Sequence, residues 1–259
     1  MAIDPSTAGP PPSLTDPVTL LSLLATVVLL LTAYFASLSL LPKTTSTKLR
    51  ILYVWHAFDA LTHLILEASF LYNNFFSYSL LSALPANALS LAPTPAGVYF
   101  LGQKDRLYGN IYGTNPFAKL WQEYAKADRR WGGADLNIIS LELLTVFGAG
   151  PLAVYVTEKI RQGAGAEGGK GGIKSAKMWF WGSVLATGEL YGGFMTFAPE
   201  WLSANSNLDT SNFMYLYLYL FFFNVLWVFL PGWFLYEAYY NIKAAFTRAE
   251  GTGKSKKSK

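Results

Sequence analysis

Asp59, His63 and Glu67 recur at intervals of four residues in an otherwise apolar stretch, a spacing that stacks them along one face of a helix. Three further apolar stretches each carry a small polar set: Glu142 with Thr145 one turn on, Glu189 and Tyr191 between glycines, and Asn224 followed three residues later by Trp227. An ionisable group inside such a stretch costs several kcal/mol, roughly 2.5–3.5 on insertion scales, so it tends to be kept for function. A carboxyl group shielded from water holds its proton and can act as an acid. A second carboxyl or an imidazole can then accept a different proton, and an indole face stabilises positive charge between the two steps. The chemistry this set suits is a double-bond shift through a carbocation in a hydrophobic substrate, which needs no redox cofactor.

Each residue also has a plainer reading. Asp59 can serve only to orient His63 through a hydrogen bond. Glu189 can be a neutral helix-packing donor, Asn224 interhelical glue and Trp227 ordinary packing. His56, beside Trp55 near the end of its stretch, reads as an interfacial residue. One histidine with two or three carboxylates could also ligate a metal. The chain has neither His-x-x-Glu-His nor His-Glu-x-x-His, so no metal is expected. The absence of cysteine excludes disulfides and thiolate metal sites.

The elements that must position these groups are membrane helices. Charged residues make up 14% of the chain, against ~25% in soluble proteins, and they cluster between long apolar runs. Five runs approach the ~20 residues that cross a bilayer: about Val18–Leu41, Ile51–Phe76, Leu136–Val156, Met178–Phe197 and Phe213–Tyr236. The expected fold is an all-α, polytopic membrane protein, a five-helix bundle spanning residues 18–245. Residues 1–17 are Pro-rich without a basic start, unlike a cleaved signal peptide. Between the second and third spans, Ser82–Gly97 reads as irregular and Phe117–Arg130 as a short amphipathic helix lying at the membrane interface. Gly163–Gly172 reads as a flexible linker.

Lysine and arginine concentrate in the first and third loops and in the tail, 246–259, while the fourth loop, Ala198–Asn212, has neither. The second loop carries basic residues too, but it is long and mixed in charge. The bias puts the N-terminus in the lumen and the C-terminus in the cytoplasm. The end, Lys256-Lys257-Ser258-Lys259, is then a dilysine-type retrieval signal for the endoplasmic reticulum. The net charge of +4 bears on topology and implies no nucleic-acid partner. At ~1.5 Å per residue, this topology brings His63, Glu67, Glu142, Glu189, Asn224 and Trp227 into one layer between the midplane and the lumenal half. A substrate reaching that layer is a lipid entering sideways from the bilayer. Whether the chain forms a homodimer is open.

At these positions the sequence resembles the emopamil-binding protein family of sterol Δ8–Δ7 isomerases, within the wider EXPERA superfamily. The matching stretches are His63-Leu-Ile-Leu-Glu67, Leu120-Trp-Gln-Glu-Tyr-Ala-Lys-Ala-Asp128, Glu142 to Pro151, Gly188-Glu-Leu-Tyr-Gly192, and Asn224-Val-Leu-Trp227 with Leu230-Pro231. The resemblance implies that His63, Glu67 and Glu142 handle protons, that Thr145 and Asn224 are polar pocket residues, and that Trp227 faces the cationic centre. It also implies protonation at carbon 9 of a sterol, a cation at carbon 8 and loss of a proton from carbon 7, with cationic amphiphiles as inhibitors. Asp59, Glu189 and Tyr191 join the expected substrate-binding set. Three features depart from the family pattern: Asp59 stands in place of the cysteine of the vertebrate form, Glu189 in place of a glutamine, and the second loop is longer. The competing expectation is a non-catalytic sterol or cationic-amphiphile binding or trafficking protein of the same superfamily. A structural membrane protein with polar helix glue would leave the shared layer unexplained.

Overall fold

The computed structural model describes residues 13–164 and 172–257, with the side chains of 172–174 and 251–257 left aside. Most of the Pro-rich N-terminal segment, the glycine-rich linker and the retrieval signal therefore lie outside the described residues.

Helix α1, Pro17–Leu40, opens on an Asp16 cap that accepts from the Thr19 amide at 2.8 Å, with proline at its first position, an arrangement that satisfies one orphan donor and pre-sets the backbone. Its outer face is a row of exposed leucine and valine side chains, among them Leu20, Leu24, Val27 and Leu31. Arg50 ties the end of α1 to α2, Thr47–Leu61, by donating to the Ser37 and Pro42 carbonyls. Helix α2 widens into a π-helical stretch, Thr62–Glu67, and continues as α3, Ala68–Phe76.

The long second loop is more ordered than its composition suggested. Strand β1, Tyr78–Leu80, pairs antiparallel with β2, Arg106–Tyr108, and a single turn, α4, Ala88–Leu91, lies between them. Helix α5, Pro116–Tyr124, follows, capped by Asn115. The interfacial reading of Phe117–Arg130 meets a correction here. The helix stops at Tyr124, and Asp128 and Arg130 are fully buried instead of facing solvent. Burial is tolerated because the guanidinium is completely paired. It donates to Asp128 at 2.8 and 2.6 Å and to the Thr196 carbonyl at 2.8 Å, with Glu200 3.5 Å away. Even so, burial pushes the Asp128 carboxyl above its usual range. Trp121 stacks on Trp131 with ring centroids 4.9 Å apart, and the pair packs with Phe70 and Ile138 in one core cluster.

Helix α6, Leu136–Leu144, passes through a second π-helical stretch, Thr145–Ala149, into α7, Gly150–Ala164. Helix α8 spans Gly172–Leu202. A third π-helical stretch, Met214–Phe222, leads into α9, Phe223–Lys257. Helix α8 packs on α9 and α7, α7 on α2, and α2 on α1. The second core cluster, with Leu52, Val156, Leu185 and Phe234, fills these contacts.

Among the described residues, three helical runs are long and apolar enough to cross a membrane by length and composition: Pro17–Leu40, Leu136–Ala164 and Met214–Glu250. The other two expected spans are helical, but they carry Asp59, His63 and Glu67 or Glu189, which lowers their apolarity. His56 is corrected as well. It is 1% exposed rather than interfacial. Its Nδ1 donates to the Leu52 carbonyl at 2.8 Å, and its ring sits 5.0 Å from that of Phe234.

Phe234 approaches α8 closely because residue 182 is glycine. A Cβ at that position would lie 2.2 Å from the ring, and Phe234 is completely buried, so it has nowhere to retreat. Gly182→Ala is expected to cost about 1–3 kcal/mol through overpacking, read as a lowered unfolding temperature in detergent. An unchanged midpoint would mean that α8 and α9 can separate freely.

Candidate functional site

His63 and Glu67 lie in the first π-helical stretch and Thr145 in the second, while Glu142 and Asn224 stand just outside such stretches, and widened turns of this kind often occur at functional sites. Within Thr62–Glu67 the wider turn sets residues four apart almost directly over one another, and His63 Nδ1 meets Glu67 Oε2 at 2.5 Å. Widening leaves backbone carbonyls short of their helical partners, and side chains answer them. Trp121 Nε1 donates to the Leu66 carbonyl at 3.2 Å and to Ser69 Oγ at 3.0 Å. Asn224 Nδ2 donates to the carbonyls of Tyr219 and Leu220 at 3.0 and 2.9 Å, and to Tyr124 Oη at 3.0 Å.

These elements enclose a cavity of about 540 Å³ with predominantly apolar walls, within the range of small-molecule sites. His63, Glu67, Glu142, Thr145, Glu189, Tyr191, Asn224 and Trp227 all line it, with Leu23 and Thr26 from α1 on another side. Glu142 and Glu189 are buried, at 6% and 8% exposure. Thr145 Oγ1 donates to Glu142 Oε2 at 3.1 Å. The Glu142 carboxyl lies close enough to that of Glu67 to interact with it, as Glu189 does with Asp59. Two carboxyl groups this near one another repel when both are charged, which favours a single shared proton. A row of ionisable and polar groups therefore runs Glu189–Asp59–His63–Glu67–Glu142–Thr145 across three helices.

Two expected residues are placed differently. Asp59 does not line the cavity. It lies fully buried behind the wall, so it cannot touch a bound molecule directly. Tyr191 stands at the cavity's edge and is 59% exposed, facing mostly outward. Asn224 serves as both pocket residue and glue. Trp227 packs against Trp55 and Phe58, with centroids 5.3 and 6.0 Å away.

The sequence reading missed a polar knot on another part of the wall. Glu123 is 2% exposed and lines the cavity. Its Oε1 accepts from Thr19 Oγ1 at 2.8 Å and from Tyr219 Oη at 2.9 Å, and Lys126 Nζ is 2.5 Å from Oε2. In the sequence it is one acidic residue of a long loop of mixed charge, and two of its partners, Thr19 and Tyr219, lie about a hundred residues away on either side. Among the described residues, Asp59, His63 and Glu189 also offer ligand atoms within 4.8 Å of one another, a set that could hold a metal ion.

The fold and cavity define a mostly helical protein with helices long and apolar enough to cross a membrane and an acidic, histidine-bearing pocket among them. Residues 116–238 match the EBP family, described as EXPERA (EXPanded EBP superfamily). Glu142, Thr145, Glu189, Tyr191, Asn224 and Trp227 fall within the matched residues, whereas Asp59, His63 and Glu67 precede them. A protein of Cavia porcellus named 3-beta-hydroxysteroid-Delta(8),Delta(7)-isomerase is 30% identical over 124 residues, covering 47% of this chain and 49% of that protein. The chain thus spans about half the length of the curated relative it matches.

Proposed function

We propose that this chain is a sterol isomerase that shifts a Δ8 double bond to Δ7. The observation that carries the reading is the meeting of His63, Glu67 and Glu142, from two separate helices, on the wall of one apolar cavity that Trp227 also lines. The name of the guinea-pig relative points the same way. In this mechanism the His63–Glu67 pair supplies a proton to carbon 9, the C8=C9 π pair forms the new C–H bond, and carbon 8 becomes cationic. Trp227 and the adjacent carboxylates stabilise that charge. A proton then passes from carbon 7 to Glu142, its C–H electrons close the C7=C8 bond, and transfer of that proton by way of Glu67 to the His63–Glu67 pair returns the relay to its starting state. One proton enters and one leaves, no electrons are exchanged, and no cofactor is required.

The site belongs inside a bilayer with five spans, the N-terminus lumenal and the tail cytoplasmic, in the endoplasmic reticulum. Supporting this are the apolar outer face of α1 and the position of Lys48 and Arg50 at the turn assigned to the cytoplasm, where Lys48 pairs with Glu237 at 2.8 Å. The substrate enters from the membrane between helices.

The test is incubation of the purified protein with a Δ8 sterol in heavy water. Conversion to the Δ7 isomer carrying solvent deuterium is the expected result. Tight sterol binding without conversion would replace the isomerase with a binding or trafficking protein of the same superfamily.

A further inference from the structure

We infer that Asp59 is a positioning residue: one of its oxygens holds the indole of Trp227 and keeps a proton on His63 Nε2, so that the mobile proton of His63 is confined to Nδ1. The catalytic consequence rests on the isomerase reading; the proton placement does not.

Asp59 Oδ1 accepts from Trp227 Nε1 at 2.8 Å. An indole N–H can only donate, so Oδ1 is an acceptor whatever else the carboxyl does. The same oxygen lies 3.0 Å from His63 Nε2. The ring N–H is not aimed squarely at it, since Nε2 makes no well-aligned hydrogen bond. At that distance a bare nitrogen would still set its lone pair against a carboxylate lone pair. A proton on Nε2 turns that repulsion into attraction, and among the described residues no other group hydrogen-bonds to the nitrogen. The position left to exchange is Nδ1, which faces Glu67 Oε2 at 2.5 Å. Glu67 is the group that touches Glu142 and lines the cavity. Asp59 thus directs proton traffic toward the cavity side of the imidazole, while the N–H it accepts fixes the tilt of the indole beside the same space.

The chain supplies its own control. It has two histidines, and the other, His56, sets Nδ1 2.8 Å from the Leu52 carbonyl oxygen. A carbonyl oxygen only accepts, so His56 carries its proton on Nδ1. The two rings hold their fixed protons on opposite nitrogens.

The experiment is ¹⁵N NMR of the full chain labelled at histidine, in lipid nanodiscs, with His63→Gln assigning the signals by subtraction. The expected spectrum has a protonated Nε2 at His63 and a protonated Nδ1 at His56. A bare Nε2 at His63 overturns the inference, and so does about one equivalent of tightly bound zinc, which would take Nε2 as a ligand beside Asp59 and Glu189. Neither readout depends on turnover, so the inference can fail while the isomerase reading stands, or survive its failure. In the activity arm, Asp59→Ala is expected to lower kcat about tenfold or more, with KM changed less than about threefold. Asp59→Asn keeps an acceptor oxygen, held toward the imidazole by the indole N–H. It should recover most of the lost kcat and keep Nε2 protonated. If it loses as much as Asp59→Ala, the charge matters rather than the acceptor, and the positioning role is refuted. Should Asp59→Ala fail to fold, the Asn variant and the wild-type spectrum still decide the question.

Discussion

Glu142→Gln is expected to lower sterol conversion by about 10²–10⁴-fold, the contribution of a positioned acid–base group, while the protein remains folded. Glutamine keeps the volume of the side chain and can still accept the Thr145 hydroxyl, which now donates to Glu142 Oε2. It cannot hold a transferable proton against Glu67, so the row from Glu189 to Thr145 loses its far end. His63→Ala should bring a loss of the same size for a different reason. The imidazole bridges Glu67 at 2.5 Å and Asp59 at 3.0 Å, and without it the two carboxyl pairs are separate. The rates are measured as conversion of a Δ8 sterol by protein of unchanged monodispersity and unfolding temperature. Full activity in either variant removes that residue from the mechanism. Because the two residues act on one proton path, the double variant should be barely worse than the poorer single one, a non-additivity expected of groups that work as a unit.

How much of this was legible in the sequence depended on the range over which each feature is determined. The four-residue interval of Asp59, His63 and Glu67 is local, and it placed all three on one face correctly. The mostly helical fold followed from similarly local signals, and Glu142, Glu189 and Trp227, each singled out as a polar or aromatic residue in an apolar run, line one cavity. The π-helical widening at Thr62–Glu67 did not, because nothing in Thr-His-Leu-Ile-Leu-Glu distinguishes five-residue from four-residue hydrogen bonding. Its stabilising partner, the Trp121 indole, comes from another helix. Asp128 and Arg130 read as the end of an amphipathic interfacial helix because their burial depends on Thr196 and Glu200 at the end of α8. Glu123 was hidden for the same reason. The strand pairing of Tyr78–Leu80 with Arg106–Tyr108 is set by tertiary contact over short, weakly patterned segments. Asp59 was misplaced in a more instructive way. Its helix face was right, but sequence spacing cannot say that Trp227 stands between it and the cavity.

Sterol mimics bearing an amine near the reacting carbons should bind at least about 10²-fold more tightly than uncharged sterols of the same shape, because a ligand that imitates the transition-state charge collects the stabilisation meant for it. Three features of the cavity argue for this. The buried carboxyl groups of Glu67, Glu142 and Glu189 line it. The walls are otherwise apolar, so the ammonium finds no competing solvation. Trp227 adds a π face worth about 0.5–2 kcal/mol to a cation, or roughly 2–30-fold in affinity. Trp227→Ala should remove that share and weaken amine binding in a competition assay, while binding of the uncharged sterol falls much less. Trp227→Phe separates two roles of the side chain: it retains an aromatic face but gives up the N–H that Asp59 accepts at 2.8 Å. Amine affinity in the phenylalanine variant should therefore stay close to wild type even where turnover drops. Unchanged amine affinity in Trp227→Ala would refute the aromatic contribution and leave the carboxyl groups alone to hold the charge.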